Sequence, residues 1–278
     1  MGLVEVNGTT LYHEVRGQGP PFLMISAAVG DCGSYAPVAD ALADEFTVVT
    51  YDRRGHSRSP RPEHWTGTSV QEQADDAAEL LQALDLTPAA AFGLSYSGEI
   101  LTDLVLRRPE VLTGAVFHEP GFLHMISGAD ALGARIGASL DAGMARGGRP
   151  AALESFLRLV CGDQVIDGMD PALLDRCLTS AAVFFDVDAA GDEFRPTQEA
   201  LGRVRVPCVV TAGAENAPPD ALLHAFFEAA QWLADGLGVP VVEVPGAHVS
   251  YASHPEAYAA ALRVVLRDFA RDPSADVG

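Results

Sequence analysis

The chain has no lysine; all 18 of its basic residues are arginine. Without a Lys amine, neither Schiff-base catalysis nor a Walker-type phosphate loop is available. Positive charge is scarce altogether, with 18 basic residues against 38 acidic ones and a formal charge of −20. Phosphates repel such a surface, so nucleic acid and anionic membrane are excluded as partners. Cysteine is sparse too: Cys32, Cys161, Cys177 and Cys208 stand far apart with no C-x-x-C pair. That argues against a zinc ribbon, a thioredoxin-type site and a disulfide-dense scaffold. The four read as small core hydrophobes. No run approaches the ~18 apolar residues of a membrane span. Met1–Arg16 has neither the basic start nor the apolar stretch of a signal peptide. A soluble cytoplasmic protein is expected, and a homo-oligomer is compatible with these features.

What is present is a chain of 278 residues, 48% of them hydrophobic, enough for a large core. Leu3–Val6 and Thr10–Val15 flank Asn7-Gly8, which signals a β-hairpin. Phe22–Ile25, Thr47–Tyr51, Ala89–Phe92, Ala115–Phe117, Val206–Val210 and Val241–Val244 are short apolar runs without polar alternation. Such runs read as strands buried on both faces. Helical patterns lie between them: Ser69 to about Leu84 behind a capping box, Ser97–Arg107, Pro219–Leu237 and Pro255–Phe269. The alternation implies an α/β fold with a mostly parallel eight-stranded sheet and helices on both faces. The rhythm breaks between about Leu123 and Gly202, a Gly-rich helical stretch with Gly147-Gly148-Arg149-Pro150 as a hinge or loop. The expected organisation is a core of residues 1–122 and 203–278 with a helical cap inserted at 123–202. The tail after Asp272 is expected to fray.

Chemistry enters at Gly93-Leu94-Ser95-Tyr96-Ser97-Gly98, between a strand and a helix. A sharp strand-to-helix turn lifts a Ser hydroxyl clear of the sheet, and small neighbours let strand and helix approach. The pattern departs from G-x-S-x-G at Ser97, but Ser is small and Gly98 follows. Ser95 is the candidate nucleophile. A base must reach it at the carboxyl edge of the sheet, and His248, just past the last strand, is placed for that. His254 falls at the next helix entry, and His56 and His64 sit among Arg and Pro after an early strand.

The group that orients the imidazole has two sources. Glu119 ends one strand, before a Pro that fixes the chain's exit; Glu215 follows another, beside Asn216 where an Asp would be expected. Asn cannot balance an imidazolium, so Glu119 is preferred and Glu215 is the alternative. Two backbone N–H groups should meet the oxyanion: Tyr96, and Ala28 (with Ala27 second) from the loop Ser26–Gly30. The run Asp52-Arg53-Arg54-Gly55-His56-Ser57-Arg58-Ser59 reads as a tight turn closed by its own hydrogen bonds. Phe184 and Phe185 are candidates to line an apolar substrate pocket, or to pack the cap core.

These residues together resemble the α/β-hydrolase superfamily over nearly the whole chain, from Gly19-Pro20-Pro21 through the 51–59 run and the Ser95 elbow to Pro245-Gly246-Ala247-His248. Within it the chain looks most like the zearalenone-type lactone hydrolases, on Val29-Gly30-Asp31-Cys32, His118-Glu119-Pro120 and Pro245–Pro255. The resemblance implies an α/β-hydrolase fold and a Glu after the sixth strand as triad acid, matching Glu119. Two features depart from that group. Ala27 stands where it has an acidic residue, and no Trp lies near Phe184; Trp65 and Trp232 are elsewhere. The acyl-transfer machinery therefore carries over and the substrate does not. The expectation is a serine hydrolase acting on a small apolar ester or lactone, with no cofactor and no metal. A C–C bond hydrolase or non-hydrolytic enzyme on the same fold, and a ligand-binding pseudoenzyme or receptor, are the alternatives.

Overall fold

The computed structural model describes residues 1–270 apart from 30, 66, 128 and 189–193. The tail expected to fray beyond Asp272 lies outside them. The strands are β1 (Gly2–Val6), β2 (Thr9–Arg16), β3 (Pro21–Ile25), β4 (Thr47–Tyr51), β5 (Ala89–Ser95), β6 (Leu112–Pro120), β7 (Cys208–Gly213) and β8 (Val241–Val244). They form one sheet in the order β1-β2-β4-β3-β5-β6-β7-β8. Asn7 (φ 45°) and Gly8 (φ 70°) both take positive φ, the backbone a two-residue hairpin turn demands, and β1 pairs antiparallel with β2. From β4 to β8 every neighbouring pair is parallel.

The unbroken apolar strands are covered on both sides. On β3, Leu23 and Ile25 join one apolar cluster while Phe22 and Met24 join another across the sheet. The helices are α1 (Ala36–Leu42), α2 (Val70–Ala83), α3 (Tyr96–Arg107), α4 (Asp130–Cys161), α5 (Asp163–Asp167), α6 (Pro171–Thr179), α7 (Ala181–Val183), α8 (Gln198–Leu201), α9 (His224–Leu237), α10 (Ser250–Ser253) and α11 (Pro255–Phe269). Apolar residues of α2, α3 and α9 cover the first face, and those of α1 and α11 the second. The Ser69 hydroxyl caps α2 by accepting from the Glu72 N–H at 3.1 Å. Glu72 does not reach back to close the box; its carboxylate takes the Thr68 hydroxyl at 2.7 Å.

Between β6 and β7 the described secondary-structure elements are all helical. Gly147 and Gly148 (φ 71°) leave helical geometry and fold α4 into two arms, at the place where the sequence marks a hinge. The arms pack closely: a Cβ at Gly143 would sit 2.4 Å from Ala152 Cα. Among the described residues no helix is long and apolar enough to cross a membrane.

Candidate active site

β5 ends at Ser95 and α3 begins at Tyr96 with no residue between. The turn is so abrupt that Ser95 takes φ 52° and ψ −127°, a region costing a non-Gly residue about 1–3 kcal/mol. Small neighbours make it possible. A Cβ on Gly93 would lie 2.5 Å from the Ser97 carbonyl oxygen, and one on Gly98 2.7 Å from Pro120 Cβ. Ser97 replaces the second glycine of the pattern without steric penalty. Its buried hydroxyl folds back on the elbow, accepting from Leu94 N–H and lying 2.9 Å from Leu94 O. Close approach to β6 therefore falls to Gly98. The first-turn N–H groups of α3 supply partial positive charge beside the Ser95 hydroxyl.

Glu119 is placed by a β-bulge. Leu94 pairs with His118 and Ser95 with Pro120, so Glu119 is the extra residue on β6. It takes φ 41° and is fully buried. Bulges re-aim a side chain, and here the carboxylate turns toward the end of β7. Its Oε1 accepts from Gly213 N–H at 2.8 Å, and the Asn216 amide donates to Oε1 and Oε2 at 3.0 and 2.9 Å. His248 Nδ1 lies 2.8 Å from Oε2. Burial pushes the Glu119 carboxyl up, but the His248 hydrogen bond, the neighbouring imidazoles and the Asn216 amide outweigh it. The group is held below the usual carboxylate range. Phe226 stacks on the His248 ring, centroids 3.9 Å apart. With Nδ1 committed to Glu119, Nε2 is the ring atom left for the cavity that His248 and Ser95 both line.

The structure thus brings Ser95, His248 and Glu119 to one end of the sheet. Glu215 points to solvent one residue before the buried Asn216. His254 and His64 are exposed, and His56 is buried against the arginines of its own turn. Asn216 and Phe226 are the site residues the sequence does not disclose as such. Asn216 is visible only as a non-acid at an acid's position, and nothing in the sequence pairs Phe226 with His248.

The cavity at Ser95 measures about 80 Å³. Ala27, Ala28 and Val29 form one wall; Gly30, the last residue of that loop, is outside the described residues. Phe156, Leu157 and Val160 of α4 are part of the cavity wall as well. Phe184 packs against Phe156 at 5.0 Å and Phe185 sits edge-on to Phe184 at 5.2 Å, so this pair backs the wall rather than lining it. A groove of about 570 Å³ adjoins the cavity, sharing Ser34, Cys161, Met169 and Tyr251 with it. A larger hollow of about 740 Å³ near Pro21, Thr113 and Phe269 lies at the opposite ends of the strands, away from Ser95.

Asp31, buried behind the loop, joins the helical stretch to the sheet edge. Its carboxylate meets Arg176 of α6 at 2.8 Å and Arg58 at 3.1 Å. Beside it the Ser180 hydroxyl accepts from Ser57 N–H at 3.1 Å. Among the described residues no group of three or more His, Cys, Asp or Glu is placed to hold a metal ion.

Comparison with known proteins agrees with this architecture. The profile described as "Alpha/beta hydrolase family" matches residues 22–261. An uncharacterized hydrolase, YraK of Bacillus subtilis strain 168, is 30% identical over 268 residues, covering 95% of each chain. A zearalenone hydrolase of Bionectria ochroleuca is 33% identical over 116 residues, 41% of this chain and 44% of that one. The solved structure of a thermophilic esterase from Thermogutta terrifontis superposes with a TM-score of 0.75 at 18% identity, covering 98% of this chain and 100% of the other. At that identity the likeness speaks for the fold alone.

Proposed function

Because the chain belongs to the alpha/beta hydrolase family, we propose that this hydrolase cleaves a small carboxylic ester or lactone through an acyl-enzyme on Ser95. His248 Nε2 takes the Ser95 proton as Oγ attacks the carbonyl carbon. Glu119 holds the ring by Nδ1 and balances the imidazolium. The N–H groups of Ala28 and Tyr96 receive the oxyanion. His248 returns the proton to the departing alkoxide, then takes one from the water that attacks the acyl carbon, and gives that proton to Ser95 Oγ as the acyl–oxygen bond breaks. The cycle uses protein groups and water alone. Residues 123–202 act as the lid over a core of 1–122 and 203–278. The observation that carries the reading is the strained Ser95 opening on the same cavity as His248, which Glu119 holds at 2.8 Å.

Size narrows the substrate. Clefts for drug-sized ligands run ~300–1,000 Å³, whereas about 80 Å³ at Ser95 suits a short apolar acyl group. The remainder of the molecule fits the adjoining groove. The lactone arm of the reading draws on the zearalenone hydrolase likeness, and a macrocycle needs more room than the resting cavity offers.

A p-nitrophenyl alkylphosphonate, followed by peptide mapping, tests the mechanism: one adduct, on Ser95, is expected. A folded protein that takes up no label, or takes it elsewhere, would defeat the reading. Short-chain p-nitrophenyl esters run beside macrocyclic lactones test the substrate class, with the short esters turned over faster.

A further inference from the structure

Arg53 is among the largest fully buried side chains of the protein, 1% exposed. The sequence places it in a turn closed by its own hydrogen bonds, and part of the run behaves that way: Asp52 accepts from the Arg58 N–H at 3.1 Å, whereas Arg54 reaches out to Asp76 of α2 at 2.6 Å. Arg53 keeps one contact inside the turn, a terminal nitrogen 3.1 Å from His56 Nε2, and otherwise reaches out of it. Its Nε donates to the Ala27 carbonyl at 3.2 Å and one terminal nitrogen to the Ala28 carbonyl at 2.7 Å. The other terminal nitrogen donates to Gln73 Oε1. Gln73 Nε2 donates in turn to the Tyr96 hydroxyl at 3.1 Å, and the guanidinium carbon stands 5.0 Å from the Tyr96 ring centroid.

One cation therefore grips both segments that would supply oxyanion donors. The Ala27–Ala28 peptide is trans, so its C=O and N–H point in opposite directions. A guanidinium bonded to the Ala27 oxygen turns the Ala28 N–H away from Arg53, and Ala28 lines the cavity at Ser95. The cation also withdraws electron density through that peptide, strengthening the N–H as a donor. On the second segment, Arg53 and Gln73 fix the Tyr96 side chain from face and tip, and with it the residue whose N–H starts α3.

We propose that Arg53 is the positioning residue of the oxyanion site, its guanidinium aiming the Ala28 N–H through the Ala27 and Ala28 carbonyls while clamping Tyr96. This rests on the reading of Ser95 as nucleophile. It makes the second residue of the Asp52-Arg53-Arg54-Gly55 run part of the catalytic apparatus without touching substrate.

The test uses the full chain and begins with phosphonate titration of wild-type enzyme, which counts reactive Ser95 sites. An unlabelled wild type would remove the parent reading, and this inference with it. Arg53→Gln and Arg53→Lys are then compared per titrated site on a short-chain ester. Neither replacement can bond two carbonyls and cover the Tyr96 ring at once, so kcat should fall about 10–100-fold with KM within about threefold. Affinity for a trifluoromethyl ketone, which forms a tetrahedral adduct at Ser95, should fall by the same factor, while affinity for the product acid holds. A merely structural arginine would lower the melting temperature and the number of titrated sites but leave kcat per site unchanged. That outcome in either variant overturns the proposal. Should Arg53→Gln fail to fold, Arg53→Lys, which keeps charge and most of the packing, decides.

Discussion

The Asn216 amide spans both carboxylate oxygens of Glu119, at 3.0 Å and 2.9 Å. The chain thus carries an acid on β6 and a neutral brace on the loop after β7. Asn216→Asp replaces the brace with a second carboxylate against the first, and like charges that close cannot both stay ionised cheaply. Activity at pH 7 should drop at least about tenfold, and the acid limb of the kcat/KM profile should move to higher pH. An unchanged profile would show that Asn216 does not govern Glu119.

The two candidate acids separate on exposure. Glu119 is fully buried on His248, and Glu215 faces solvent. Glu119→Gln should reduce kcat by about 10³–10⁴-fold, since an amide can neither set the ring tautomer nor balance its charge. Glu215→Gln should stay within about twofold. Comparable losses, or a larger one at 215, would reverse the assignment.

Glu99, in the first turn of α3, is buried, and burial pushes its carboxyl up to about 8. The folded protein keeps that proton to about pH 8, whereas the unfolded chain releases it near the ordinary value of 4.5. Below the unfolded value both states are protonated and nothing is lost. As pH rises through this window the unfolded state alone gains the charge freely, so folding stability falls, by on the order of a few kcal/mol. Glu99→Gln should flatten that decline, which urea unfolding at pH 5 and pH 8 would reveal. Parallel declines in both proteins would rule Glu99 out as the cause.

Glycines here divide by what surrounds them. Gly98→Ala drives a methyl to 2.7 Å from Pro120 Cβ, at the junction of elbow and β6, and should cost about 1–3 kcal/mol along with activity. Gly133→Ala, in α4 with open space about it, should stabilise by about 0.5–1 kcal/mol and leave activity alone. Thermal melts of the two variants should move in opposite directions.

Local chemistry was readable where a few adjacent residues decide the backbone. Asn7-Gly8, the runs of β4 and β8, and α11 behind Pro255 stand at or within a residue of their expected limits. The elbow was readable for the same reason. Boundaries fail where a remote partner or an awkward residue intervenes. Pro207 cannot donate to a ladder, so β7 begins at Cys208 rather than Val206. Pro219 looks like a helix start, yet α9 waits until His224 because the preceding residues close turns on themselves. β6 runs to Pro120, well past Phe117, since polar His118 and Glu119 find partners on β7 and beyond. Sequence could nominate Ser95, His248 and Glu119 singly. Phe226 against His248, and Arg53 against Ala27 and Ala28, are contacts between remote segments that no spacing encodes.

Arg176 and Ser180 hold the helical roof to Asp31 and Ser57. Arg176→Ala should raise kcat/KM for long-chain esters relative to short ones, and an unmoved ratio would dissociate this contact from access. On the proposed lid reading, a guest wider than the resting chamber parts that charge pair before it is admitted. Discrimination by bulk would then be set at a latch whose carboxylate borders the chamber itself, and it would fall on every oversized molecule whatever its chemistry.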